Sequence, residues 1–251
     1  MATRAESGKP TTKDSRSAAA RSTSAGAKVQ GRRLKRTKAV GIQDELTQLS
    51  VKSCLIARDA AFNLNDLLTN FSRMAFLTVR DCEQELDQIE RHIDERMPEA
   101  ITRVNEDQAR ELLGCLKFIT DLERIGDLLR GVAERVHARG APPPEEEARQ
   151  LLEMLDILRA MLDQVHEGFT TRNLDCAMQV LRADAKIDAI CHAMFQDVAR
   201  TQCADGSPKF EVLLMAQAIE RAGDHTKNLA EELYSLIEGH TRRHPPKRKP
   251  T

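Results

Sequence analysis

The residues best placed to do chemistry lie in two matching acidic phrases. They read Leu122-Glu123-Arg124-Ile125-Gly126-Asp127 and Ile219-Glu220-Arg221-Ala222-Gly223-Asp224, with the shared core E-R-x-G-D. A Glu and an Asp four residues apart share one face of a helix, so each phrase presents a pair of carboxylates. A second acidic stretch precedes each phrase, Glu83-Gln84-Glu85-Leu86-Asp87 in one case and Asp184-Ala185-Lys186-Ile187-Asp188 in the other. The upstream stretches lie 101 residues apart and the phrases 97 apart, so the chain is a tandem duplication with a four-residue length difference between halves.

Bringing Glu83, Asp87, Glu123 and Asp127 together concentrates negative charge. Such a cluster is tolerable when solvated, protonated or neutralised by cations. Arg124 and Arg221 are candidate neutralisers, and a metal ion is the alternative. An all-carboxylate site favours hard ions such as Mg, Mn or iron over zinc. Acids occupy 39 of 251 positions, so a lone acidic pair is ordinarily a solvated face. Three features set these pairs apart: they recur in register, they continue an apolar stripe (Leu112, Leu116, Ile119; Leu213, Ala216), and each contains a mid-helix Gly. Gly126 and Gly223 each cost about 1 kcal/mol relative to Ala, which points to close approach of a backbone or a ligand.

The elements that must position these groups read as helices throughout, with no sustained period-two alternation. Apolar periodicity begins near Ile42 and runs past Leu68. Ser72 reads as the N-cap of a second helix ending near Met97, before Pro98. A third follows Asn105 and stops at Gly140-Ala141-Pro142-Pro143-Pro144. The second half repeats the plan, with helices over about 145–171, from Asn173 to about Gln202, and from the Ser207-Pro208 start to Glu238. The fold class is all-α, six helices in two antiparallel three-helix bundles. The domains read as a basic tail over 1–40, a bundle over 41–139, a Pro-rich linker over 140–144, a second bundle over 145–239 and a basic tail over 240–251.

The formal net charge of −1 hides a strong asymmetry. Residues 1–40 carry eleven Lys/Arg against two acids, residues 240–251 carry five against none, and the body between holds a net −15. The N-terminal tail has almost no large apolar residue, which favours a disordered, solvated segment. It lacks the apolar core of a secretory signal, although its Arg, Ser and Ala content overlaps with transit peptides. Electrostatic contact with an anionic membrane or nucleic acid is its functional alternative, centred on Arg32-Arg33-Leu34-Lys35-Arg36. Without interleaved aromatics it specifies no nucleic acid, and the acidic body repels phosphates. The six cysteines are scattered singly, which fits reduced cytosolic thiols rather than disulfides or a zinc site. No apolar run approaches a membrane span.

The doubled phrases, the upstream D/E-x-x-x-D helices and the closing Gly239-His240-Thr241-Arg242-Arg243-His244 resemble the PhoU family of phosphate-signalling regulators. That family shows L-E-R-I-x-D-H-x-x-N-I-A-E in each half. The second half matches through Glu220, Arg221, Asp224, His225, Asn228, Ala230 and Glu231. The first keeps Glu123, Arg124, Ile125, Asp127, Ala133 and Glu134, but has Leu128 in place of His and Gly131 in place of Asn. The resemblance spans about residues 42–244. It implies a non-enzymatic cytoplasmic regulator, a homodimer, acting beside a phosphate ABC transporter and a sensor histidine kinase to hold phosphate-starvation genes off. It also implies multinuclear metal clusters on the acidic motifs. The ligand candidates carried over by position are Glu83, Asp87, Glu90, Glu123 and Asp127 in the first half, and Asp184, Asp188, Glu220 and Asp224 in the second. Cys191 stands where the first half has Glu90, so the second site has lost an oxygen ligand.

Two rival readings follow from the same residues. A metal-dependent helical adaptor could serve another transporter. A carboxylate-bridged di-iron oxidase would need paired Glu-x-x-His motifs, and the chain offers only Glu134-Arg135-Val136-His137, near a helix end where His⁺ favourably meets the dipole. No G-x-S-x-G, P-loop or Rossmann phrase is present, and His225 reads as a packing or supporting residue rather than a catalytic one.

Overall fold

The computed structural model describes residues 15–200 and 208–239, with side chains from residue 41 onward. The described residues form six α-helices and no strand: α1 (Ser15–Asn70), α2 (Arg73–Ile101), α3 (Glu106–Arg139), α4 (Glu145–Thr171), α5 (Leu174–Arg200) and α6 (Pro208–Glu238).

Local sequence fixes the boundaries. The Ser72 hydroxyl accepts from the Ala75 N–H at 3.2 Å, capping α2. Asn105 and Gln108 form a reciprocal capping box at the start of α3, and Gly140 ends that helix in the left-handed region at φ 76°. The α1–α2 and α4–α5 turns repeat an unusual device. Phe71 and Arg172, 101 residues apart, both adopt positive φ (49° and 52°), so the duplication extends to backbone conformation.

Two boundaries differ from the sequence reading. α2 runs through Pro98 to Ile101, because a proline in the last turn removes a single helical bond, and the Thr102 hydroxyl returns bonds to the carbonyls of Pro98 and Glu99. α1 begins at Ser15, whereas a disordered tail was expected over 1–40. Its Ala, Arg, Lys and Gln residues are good helix formers, and no proline falls between Pro10 and Pro98, so a helix forms there without an apolar stripe to announce it. The α5 end near Gln202, the Ser207 cap, residues 1–14 and the 240–251 tail lie outside the described residues.

α1, α2 and α3 pack on one another, as do α4, α5 and α6, giving the two expected three-helix bundles. The bundles join like helix to like, α1 against α4 and α3 against α6, while α2 and α5 touch only their own halves. One hydrophobic core therefore runs through both, from Leu46, Leu86, Phe118 and Leu122 to Leu158, Val165, Ile187 and Leu229. Each such side chain contributes roughly 1.5–3 kcal/mol by leaving water. This arrangement leaves α2 with α3, and α5 with α6, to form one acidic crossing on each half.

Candidate metal centre

The crossing is set by glycine. A Cβ on Gly126 would lie 2.8 Å from Leu86 Cδ1 and 3.6 Å from Glu83 Cα. A Cβ on Gly223 would lie 3.2 Å from Ile187 Cδ1 and 3.7 Å from Asp184 Oδ1. Close approach of the partner helix is thus the reason for both glycines. It carries the first acid of each upstream motif into the crossing, where Glu83 and Asp184 are buried.

Around Gly126 the structure gathers Asp87, Glu90, Glu123 and Asp127. Burial and the charges of Asp127, Glu90 and Asp87 push the Glu123 carboxyl above its ordinary range. Burial also raises Glu90, with the nearby Asp94 and Asp87 adding to it against a hydrogen bond from Thr120. Asp87 moves the other way, because Arg91 grips it, with Nε donating to Oδ1 at 3.0 Å. Arg124, expected as the neutraliser, stands only 3.6 Å from Glu123 and 3.9 Å from Asp127. The closer counter-ion is Arg130, whose Nη1 donates to Glu83 Oε1 at 2.8 Å.

The second half rebuilds the same device. Lys227, which aligns with Arg130 at the 97-residue offset, donates to Asp184 Oδ2 at 2.5 Å and lies 3.8 Å from Asp224. The other oxygen of that carboxylate, Asp184 Oδ1, is buried without a hydrogen-bond partner. Burial, with Asp224, Asp188 and Asp184, raises Glu220. Burial and Asp184 raise Asp188. Cys191 sits beside Glu220 and Asp188, its thiol pushed up to about 11 by burial and those two charges.

All nine sequence-predicted residues therefore fall at the two crossings, Glu83, Asp87, Glu90, Glu123 and Asp127 at one and Asp184, Asp188, Glu220 and Asp224 at the other. Among the described residues, no three His, Cys, Asp or Glu side chains are gathered tightly enough to hold an ion; basic side chains stand among the carboxylates instead. The donor set nonetheless suits a hard cation. It is all oxygen in the first half, in excess over its counter-ions in both, and includes the unpartnered Asp184 Oδ1. Arg130 and Lys227 were missed from sequence, although a basic residue three positions after each repeated Asp was the available signal.

The histidines have other employment. His225 Nδ1 lies 2.9 Å from Asp121 Oδ1, and Asn228 reaches the same oxygen at 3.4 Å, joining α6 to α3 across the bundles. Leu128 and Gly131 stand at the corresponding first-half positions, so this contact is made from one side only. Nearby, Lys117 donates to both oxygens of the buried Glu232 at 3.1 and 3.0 Å. In the lone Glu-x-x-His motif, Glu134 lies 3.5 Å from Arg130, and His137 stacks on Phe76 with centroids 4.3 Å apart.

Fold and site together define a class: a duplicated three-helix-bundle protein with an acidic helix crossing in each half. A family model for the PhoU domain matches residues 53–136 and again 151–233, and the chain belongs to the PhoU family. It is 32% identical over 163 residues to a phosphate-specific transport system accessory protein PhoU homolog of Rhizobium meliloti, covering 61% of this chain and 68% of that one. It is 28% identical over 201 residues to the homolog of the same name from Xylella fastidiosa, covering 70% and 85%. The fold matches the crystal structure of PhoU from Pseudomonas aeruginosa with a TM-score of 0.71 at 21% identity, covering 79% of this chain and 98% of that one. A phosphate transport system regulatory protein PhoU from Streptococcus pneumoniae gives 0.70 at 19%, covering 80% and 98%.

Proposed function

We propose that this chain is a non-enzymatic accessory regulator of phosphate-specific transport, one that holds phosphate uptake and phosphate-starvation genes down when phosphate is plentiful. The observation that carries this reading is the match of both halves to the PhoU domain, together with relatives named as accessory proteins of the phosphate-specific transport system. In this reading it acts in the cytoplasm, as a homodimer, by contact with a phosphate ABC transporter and a sensor histidine kinase. No helix of the described residues is long and apolar enough to cross a membrane, so access to the transporter is from the membrane surface, assisted by the basic ends.

Metal ions, iron, Mn or Mg, belong to the same proposal. Glu83, Asp87, Glu90, Glu123 and Asp127 would hold them in the first half, and Asp184, Asp188, Glu220 and Asp224 in the second. A bound cation would supply charge neutralisation, fixing α2 on α3 and α5 on α6 as rigid faces for a protein partner. Arg130 and Lys227 hold the innermost carboxylates in place. Glycine keeps the helices close enough for both to contribute.

The functional test is deletion of the gene in its own host, followed by phosphate uptake and a phosphate-starvation reporter in high phosphate. Both are expected to rise and to return on complementation; an unchanged reporter and uptake would refute the regulatory role. For the metals, elemental analysis of protein purified without chelator is expected to find bound ions that are lost in the Asp127→Ala, Asp224→Ala double variant.

A further inference from the structure

The α4–α5 hairpin differs from its counterpart α1–α2 in one pair of charges. In the first half Lys52 on α1 donates to Glu85 on α2 at 2.5 Å, tying the two helices together. At the 101-residue offset those positions hold Glu153 on α4 and Lys186 on α5, so the signs are exchanged. The exchanged pair does not meet. Among the described residues neither Glu153 nor Lys186 makes an ion pair or a hydrogen bond, and both line an open cavity of about 630 Å³ between α4 and α5. Its lining is largely apolar, with Leu152, Ile157 and Met161 from α4 facing Val180 and Ala183 from α5.

The body between the two basic ends carries a net −15, so two copies repel one another over most of their surfaces. This groove is balanced instead, its charged residues being Arg149 and Lys186 against Glu153 and Asp156. Asp156 is engaged within the chain, by Arg159 at 3.2 Å and Asn65 at 3.4 Å. Arg149, like Glu153 and Lys186, has no such partner among the described residues. Gln164, also in the lining, buries its Oε1 without a hydrogen-bond partner. An apolar, electrically neutral groove that holds unpaired groups of both signs is complementary to itself.

We infer that the α4–α5 hairpin docks on the same hairpin of a second copy, closing the two grooves into an antiparallel four-helix bundle. Register supports a two-fold arrangement. A Cβ on Gly168 would lie 2.9 Å from Cys176 Cβ, which fixes the level of α5 against α4. Ten residues further from the turn on each helix, Lys186 stands level with Leu158, and Glu153 lies about 7.5 Å beyond it. A two-fold axis across the groove near Asp156 therefore brings Glu153 of each copy level with Lys186 of the other. The same axis sets Arg149 within about 3 Å, along the helix, of the level of Gln164 on the second copy. Arg149 then supplies the donor that Gln164 lacks once the amide turns outward. With 27 residues in each helix, the hairpin face is about 40 Å long and about 20 Å wide. That is about 800 Å² per copy, the size of a standard stable interface. The inference rests on the homodimer of the proposed function and names its contact surface.

Sedimentation equilibrium of the full-length chain is the test, with the parent expected to be a dimer. Glu153→Lys and Lys186→Glu should each weaken self-association by at least about 10-fold, because each sets like charges opposite one another at both related contacts. Mixing the two single variants in equal amounts should restore a dimer of unlike chains, since both contacts again join a base to an acid. Ala160→Glu, which adds a carboxylate to the groove lining, should dissociate the dimer, and Lys52→Glu in the first half should leave it intact. Circular dichroism checks that each variant remains helical. A dimer indifferent to Glu153→Lys, Lys186→Glu and Ala160→Glu overturns this interface and leaves the homodimer to another face, with the groove open to a helix of a different protein. Single variants that dissociate but do not recover on mixing overturn the two-fold pairing. A parent that is monomeric at every concentration overturns interface and homodimer together, while the regulatory role stands or falls by the gene deletion.

Discussion

Gly126 and Gly131 lie five residues apart on α3 and have opposite surroundings. A Cβ at Gly126 runs into the fully buried Leu86, whereas a Cβ at Gly131 meets nothing within 4 Å. Gly126→Ala is accordingly expected to destabilise by about 1–3 kcal/mol through overpacking, and Gly131→Ala to stabilise by up to about 1 kcal/mol through helix propensity. Urea midpoints of the two variants check both signs. Charge gives a second residue-scale expectation. Glu123 and Glu220 titrate above their ordinary 4.5 in the folded chain. Between the unfolded and folded values the folded state therefore holds more protons, and metal-free stability falls as pH rises through that window. Replacing both with Gln removes this loss. The variant is expected to gain progressively on the chelator-treated parent as pH rises above 4.5, as read from thermal melts. If the two curves stay parallel, burial and neighbouring charge do not raise these two carboxyls. The acidic phrases and their glycines were legible because type and spacing alone put them on one helix face. The counter-ions were less so: Arg130 and Lys227 lie just outside the shared E-R-x-G-D core, and only the 97-residue register reveals them as a pair.

At the scale of elements, helix number and order could be read from caps and punctuation, since Ser72, Asn105 and Gly140 each act through their nearest neighbours. Contacts between the bundles could not. His225 with Asp121 and Lys117 with Glu232 join residues more than a hundred positions apart, and no local period encodes such a pairing. The Lys117–Glu232 pair also yields a prediction. Lys117 is half exposed whereas Glu232 is buried, so Lys117→Met leaves a carboxylate without its partner. The single change is expected to cost about 1–3 kcal/mol, and the Lys117→Met, Glu232→Met double change to recover most of it. A double-mutant cycle in urea would show a strong positive coupling; additive losses would mean that Glu232 is solvated by other means. The start of α1 is the element that composition misread. Helix propensity without an apolar stripe extends it back to Ser15, well before the periodicity that begins near Ile42.

For the whole molecule, the shared core predicts a single cooperative unit despite the duplicated sequence. Because α1 lies on α4 and α3 on α6, neither half can unfold without exposing the other's apolar faces. Calorimetry is expected to give one transition with equal calorimetric and van't Hoff enthalpies, and two separated transitions would contradict the continuous core. The like-with-like pairing has a further consequence. It is the contact pattern of a symmetric dimer in which each subunit meets its twin through the same surface, here with the twins tethered by the short segment from Gly140 to Pro144. A tether of that length holds the halves at a high effective concentration, so their association no longer depends on how much protein is present. It also frees them from identity. In a true homodimer a Glu-to-Cys change appears in both subunits at once. In this joined pair Cys191 and His192 stand on one side only, and Glu90 and Arg91 on the other.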